Sequence, residues 1–467
     1  MESETEMDLT NFEALSQGYK AGAFTPLDVV NEVLARIEGA GDDHVWIARA
    51  SAEKLRERAA TLMAHRESGS AAELPLYGIP FAVKDNIDVA GYPTTAACPE
   101  FEYLPTADAP VVRKLIDAGG ILVGKTNLDQ FATGLTGTRS PYGVPRNPFG
   151  PDYIPGGSSS GSAVAVSSGL VTFSLGTDTA GSIRIPAGFN NIIGLKPTRG
   201  LLSTRGVVPA CRSIDCVAVF AQDVRCAATV LRAAKGFDAE DPFSKHSEEQ
   251  PRMRTVGRIG VIPLEQREFF GDEDAAEIYE SGIGRLRSLG IECVDIDFRP
   301  YREAAELLYS GAWMAEREAS VGEFIRRKPE AVITATKTAI LSASHFTAAD
   351  SFKHYYRLKE LRRLTALTWD VVNAIFVPTA PTIFRVAEAL ADPAGLTMKL
   401  SHYTNFVNLL DFCALAVPSG FNSVGMPVGA TFIAPAFHDD ALIALQKQFE
   451  ASTVVRRAPQ ALVRASS

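Results

Sequence analysis

Short apolar runs ending in polar residues alternate along this chain with stretches carrying apolar residues at helical spacing, and that alternation restricts the fold to the α/β class. The run YGIPFAVKDN is followed by a helical pattern over 109–118, a Gly119-Gly120 turn and the strand-like ILVGK. The theme resumes at Arg258 with strand RIGVI, a helix over 272–289, strand IECVDI and a helix over 301–324. A long amphipathic stretch over 352–371 leads into AIFVPTAP; FCALAVPSGF and PVGATFIAPAF then precede a last helix over 439–449. Ahead of all this, residues 12–20, 26–37 and 45–65 read as helices, and Thr25-Pro26 makes a good helix start. No internal repeat occurs. The expected architecture is α/β: one large domain over 71–460, its mixed twisted sheet flanked by helices on both faces. Residues 1–70 should form a helical segment packed on that core, and 240–254, the most polar stretch, an exposed loop.

Composition narrows the function. A formal net charge of −9 without any basic run argues against a nucleic-acid surface. Six cysteines (Cys98, Cys211, Cys216, Cys226, Cys293, Cys413) lie scattered with no CxxC pair, and read as buried small hydrophobes rather than a disulfide framework. Seven dispersed histidines form no HExxH or HxH, so no metal is expected. The acidic N-terminus MESETEMDLTNF lacks an apolar signal core, and no run of 18 apolar residues offers a membrane span, so the expected location is the cytoplasm.

Three segments carry chemistry. GGSSSGS over 156–162 can be a turn whose serines cap a following helix, and it lacks the lysine of a phosphate-binding loop. It also satisfies GxSxG, but that reading needs an acid and a histidine in supporting motifs, and neither His402 nor His438 has one. LGTDTAGSIRIPA over 175–187 begins as a strand, crosses a polar turn to Ser182 and enters a proline-containing turn. If that turn curls, the N–H groups of Thr179, Ala180, Gly181 and Ser182 converge as an oxyanion hole does; otherwise it is a polar hairpin. In FAVKDN, Lys84 ends an apolar strand. There it is either a snorkelling cation or a buried amine that sheds its proton and serves as a base. Taken together the segments favour catalysis. A serine hydroxyl needs a base within reach, no histidine is well placed, and serine–lysine pairs are an established alternative.

Lys84 in VKDN, Ser158 in GGSSSGS and Ser182 in GTDTAGSIRIP, at intervals of 74 and 24 residues, resemble the amidase signature family of amide hydrolases. The likeness extends over about 25–450 through GKTNLDQFA, RNPFG, GLKPTRG and GMPVGATFIAP. It implies Ser182 as nucleophile, Ser158 as a bridging serine after a cis peptide bond from Gly157, and Lys84 as the neutral base. It also implies an oxyanion hole at 179–182, bracing roles for Asp178 and Arg184, structural roles for Lys125 and Asp129, and neither cofactor nor metal.

Within that family the chain is similar to the branch acting on allophanate in urea and s-triazine breakdown. The residues are NLDQFATGLTGTRSPYG, GFNNIIGLKPT, YTNFVNLLDFCALAVPSGF, and Tyr309 with Arg317 in LYSGAWMAEREA. The resemblance implies that Tyr309 and Arg317 hold the substrate. An arginine suits a carboxylate, and eight residues is about two helical turns, so both side chains can share one helix face. Two features depart from the branch. Ile183 stands after Ser182 where many members have glycine, and is expected to narrow or re-line the pocket; the chain stops at Ser467, so no second C-terminal domain is expected. The expected partners are a small-molecule amide, with neither nucleic acid nor membrane, and a second copy as a homodimer. Two other readings are a general small-amide amidase or the amidase subunit of a tRNA-dependent amidotransferase, and a binding protein that keeps the fold without the chemistry.

Overall fold

The computed structural model describes residues 7–68, 74–246, 256–309 and 311–450. Eleven strands form one mixed sheet: β1 Trp46–Arg49, β2 Pro80–Lys84, β3 Ile121–Thr126, β4 Phe173–Asp178, β5 Ile193–Lys196, β6 Cys216–Ala221, β7 Arg258–Val261, β8 Glu292–Asp295, β9 Ala374–Pro378, β10 Phe412–Phe421 and β11 Pro427–Pro435. Their order is β1-β3-β2-β4-β6-β5-β10-β11-β9-β7-β8. β2 runs parallel to both β3 and β4, β9–β7–β8 form a second parallel set, and the remaining pairings are antiparallel.

Burial explains why the strands read as continuous apolar runs. Every residue of β2, β4, β5, β6 and β9 is buried, so both faces are covered. Neighbours in sequence serve opposite cores: Phe376 and Phe432 pack into one apolar cluster, Ile375, Val377 and Ile433 into another. Each such side chain contributes about 1.5–3 kcal/mol on leaving water.

Three sequence expectations change. The stretch 45–65 is not one helix. Val45 and Ala50 bond to Asn127 and Val123, making Trp46–Arg49 an edge strand beside β3, and Ser51 then caps the helix Ala52–Glu67. The N-terminal segment therefore contributes a strand to the sheet itself. The stretch 301–324 is two helices, Arg299–Tyr309 and Trp313–Arg327. A Cβ on Gly311 would lie 2.2 Å from the Leu307 carbonyl oxygen, so the chain turns there through a position only glycine can fill. The stretch 352–371 becomes the helix Ala348–Ala366, started by a Thr347/Asp350 capping box, plus a short 3₁₀ turn. Of the expected loop 240–254, residues 240–246 are without helix or strand and 247–254 lie outside the described residues. All six cysteines carry free thiols, five of them buried and Cys293 half-buried. Among the described residues no helix is long and apolar enough to cross a membrane, and no cluster of His, Cys, Asp and Glu could hold a metal ion.

Candidate active site

Because β2 and β4 are parallel neighbours, their C-terminal ends emerge at one edge of the sheet, where open α/β sheets commonly bind ligands. Lys84 ends β2; Thr177 and Asp178 end β4. The antiparallel partner of Asp178 is Cys216, so Asp215 arrives at the same edge. Lys84 is wholly buried, with Nζ 2.7 Å from Ser158 Oγ and 2.7 Å from Thr177 Oγ1. Asn86 Nδ2 donates to the same Thr177 oxygen (3.4 Å) and to the Val208 carbonyl (3.2 Å). Burial strips water from the ammonium and lowers its pKa from 10.5 to about 7, although the carboxylates of Asp129, Asp215 and Asp178 hold it up.

Ser158 follows a cis peptide bond from Gly157. Gly157 N–H donates to the Leu135 carbonyl (2.8 Å), and Asp129 N–H donates to the Ser158 carbonyl (3.0 Å). No side chain fits at 157, since a Cβ would lie 2.1 Å from Asp129 Oδ2. The buried Asp129 carboxylate in turn accepts from Gly137 N–H (3.0 Å) and Arg139 N–H (2.9 Å), which fixes the loop beneath the two glycine-rich segments. Lys125 has its own partners, Asp85 (3.3 Å) and the Pro93 carbonyl (3.1 Å). Ser182 joins the cluster through backbone, Ser159 N–H donating to the Ser182 carbonyl at 3.3 Å. Among the described residues the hydroxyls of Ser158 and Ser182 are not hydrogen-bonded to each other.

The turn that carries Ser182 is built around Asp178. Its carboxylate accepts from Gly181 N–H (3.0 Å), Ile183 N–H (3.1 Å), Arg184 Nε (3.1 Å) and Arg184 Nη2 (2.8 Å). Burial alone would raise the Asp178 pKa, but the Arg184 guanidinium, helped by Lys196 and the Ile183 N–H, holds the carboxyl below its usual value. Arg184 also donates to the Thr404 carbonyl (2.8 Å) and Asn408 Oδ1 (3.1 Å). Of the four N–H groups expected to converge, the structure gives one a partner of its own. Gly181 is engaged by Asp178, while those of Thr179, Ala180 and Ser182 have no acceptor among the described residues. The expected proline turn is instead the helix Arg184–Phe189, where Pro186 sits in the first turn and displaces no helical hydrogen bond. The expectation that Ile183 re-lines a pocket is also corrected. Its side chain is wholly buried in the main core and packs against Gly176 of β4 and Gly194 of β5.

Tyr309 and Arg317 meet, though not on one helix face. They lie on the two helices separated at Gly311, with the guanidinium carbon 5.4 Å from the centre of the tyrosine ring. Arg317 is 1% exposed; Nη1 donates to Thr133 Oγ1 (3.0 Å), while Nε and Nη2 are buried without a protein partner among the described residues. Sequence reasoning missed four polar groups: Asn86, Thr133, Thr177 and Asp215. The first three sit inside VKDN, QFATG and GTDTAGS; for Asn86 and Thr177 a polar residue at or just after a strand end was the available signal, whereas Thr133 follows a short 3₁₀ turn. Asp215, in RSID, follows no pattern. It accepts from the Thr179 hydroxyl, Ala210 N–H (2.8 Å) and Cys211 N–H (3.1 Å), and burial pushes its pKa up to about 6.

The amidase family model matches residues 28–443. The chain is 42% identical over 434 residues to a urea amidolyase of Lachancea kluyveri, covering 92% of this chain and 24% of that one. It is 35% identical over 412 residues to a glutamyl-tRNA(Gln) amidotransferase subunit of Acidobacterium capsulatum, covering 81% and 86%. The fold superposes on the allophanate hydrolase of Kluyveromyces lactis with a TM-score of 0.88 at 38% identity, covering 100% of this chain and 76% of that one. The chain thus spans less than a quarter of the length of the urea amidolyases it matches, 24% and 22%.

Proposed function

The chain belongs to the amidase family, and from that premise we propose that it hydrolyses a small carboxylate-bearing amide, allophanate foremost, through Ser182, Ser158 and Lys84. The observation that carries this reading is the buried Lys84 amine 2.7 Å from Ser158 Oγ, beside the turn that presents Ser182. An amine that is half neutral near pH 7 can accept a proton, which an ordinary surface lysine cannot. Ser182 Oγ attacks the amide carbonyl as its proton passes to Ser158 Oγ, whose own proton passes to Lys84 Nζ. The N–H groups of Thr179, Ala180 and Ser182 receive the developing oxyanion. The C–N bond then breaks, the relay returns the proton to the leaving nitrogen, and ammonia departs. Water cleaves the acyl ester on Ser182 by the same relay, leaving N-carboxycarbamate.

The substrate class rests on Arg317. Its Nε and Nη2 form the edge that grips a carboxylate with two parallel bonds, and Arg184 uses the same edge on Asp178. The test is ammonia release from allophanate against propionamide. Allophanate should be the faster, and Arg317→Ala should cut its kcat/KM by roughly 10²–10³-fold while sparing propionamide. Faster turnover of propionamide by the parent enzyme would end the substrate assignment. The match to most of the length of an amidotransferase subunit favours one other reading, a subunit inactive alone, and ammonia release by the isolated chain excludes it. A second prediction concerns pH. Lys84 must be neutral to accept, so kcat/KM should fall in acid with a midpoint at about 7, roughly tenfold per unit below it. A rate flat from pH 8 to 5 would contradict the lysine base.

A further inference from the structure

We propose that Thr133 is the positioning residue that selects carboxylate-bearing amides, by fixing the Arg317 guanidinium so that its Nε–Nη2 edge faces the reacting serines' substrate. This rests on the carboxylate clamp proposed above and names what sets the clamp's direction. The Thr133 hydroxyl donates its proton to the Phe131 carbonyl (3.1 Å), which leaves its lone pairs to accept from Arg317 Nη1. Its own carbonyl is held by Arg139 Nη1 (3.0 Å), and its N–H donates to the Gln130 carbonyl (3.1 Å). Every hydrogen-bonding group of Thr133 is therefore committed, and the side chain is 1% exposed.

The loop bearing Thr133 is also the one that docks the catalytic serine. Asp129 N–H binds the Ser158 carbonyl and the Leu135 carbonyl binds Gly157 N–H, four residues before and two after Thr133. Between those anchors Phe131 and Ala132 are both held in the left-handed region, at φ 52° and 51°, a conformation that non-glycine residues adopt only under constraint from their surroundings. One short, over-determined loop thus sets the separation between the guanidinium and the serine relay. A substrate must place its carboxylate on the first and its amide carbon on the second.

The test measures KM and kcat for allophanate and propionamide with the full chain. Thr133→Val keeps the shape and removes the acceptor, and should raise KM for allophanate roughly ten- to hundredfold, a far larger change than in either constant for propionamide. Thr133→Ser keeps the hydroxyl and should restore the parent KM. If the valine variant does not fold, Thr133→Ala removes the same acceptor with less bulk and carries the same expectation. An unchanged allophanate KM in the variant lacking the hydroxyl overturns the inference, as does a serine variant as impaired as valine. Absence of any allophanate preference in the parent enzyme removes the clamp itself, which separates the two failures.

Discussion

Replacing Lys84 with methionine should lower kcat for amide hydrolysis by on the order of 10³-fold, the size of a lost general base, and should make the folded chain more stable near neutral pH. The two effects have one origin. Lys84 is enclosed by protein, and its hydrogen-bond partners among the described residues are the hydroxyls of Ser158 and Thr177. Its pKa falls from 10.5 to about 7 because the folded state disfavours the ammonium. Between those values the unfolded chain binds more protons than the folded one, so this residue makes stability rise with pH from 7 to 10.5. The cost it imposes is complete below pH 7 and vanishes above 10.5. Methionine fills similar volume without a charge and removes that dependence. Its stability advantage over the parent should therefore grow as pH drops from 10.5 to 7 and level off below. Equilibrium unfolding at several pH values reads this directly, alongside ammonia release. A methionine variant that keeps its activity, or whose stability tracks the parent at every pH, would mean that Lys84 is an ordinary charged lysine.

How far the sequence led depended on whether a feature was local. The α/β class was legible because strands buried on both faces must be continuous apolar runs, as in FAVK of β2 and AIFVP of β9. The edge strand Trp46–Arg49 was not legible, because its only cue is a partner, β3, that arrives about 75 residues later. Likewise Tyr309 and Arg317 looked like one helical face at eight residues' spacing, whereas Gly311 breaks the helix and brings them together across a turn. At the site, residues inside contiguous motifs could be named in advance. The orientation of single groups could not, since it is set by long-range contacts. Gly181 N–H is taken by Asp178, Ile183 points into the core against Gly176 and Gly194, and Thr133 meets Arg317 across 184 residues of chain.

Asp178→Ala should cost about 3–5 kcal/mol of stability and abolish activity with it. Asp178 and Arg184 are both wholly buried, and the carboxylate accepts four hydrogen bonds, two from Arg184 and two from the backbone on either side of Ser182. Removing the carboxylate leaves a buried guanidinium without its counter-charge, its remaining bonds going to the Thr404 carbonyl and Asn408 Oδ1. It also releases the N–H groups of Gly181 and Ile183, so the turn loses the shape that aims Ser182 and its neighbouring N–H donors. Denaturant unfolding should show a lower midpoint. The double variant Asp178→Ala/Arg184→Met should recover part of that loss, because it removes the stranded charge together with its partner. Its activity should stay low, because the two backbone N–H groups remain unanchored. The stability and catalytic roles of the pair are thereby separable. A single variant losing no more than the roughly 1 kcal/mol of an exposed pair, or a double variant as unstable as the sum of the singles, would show that this ion pair does not hold the turn.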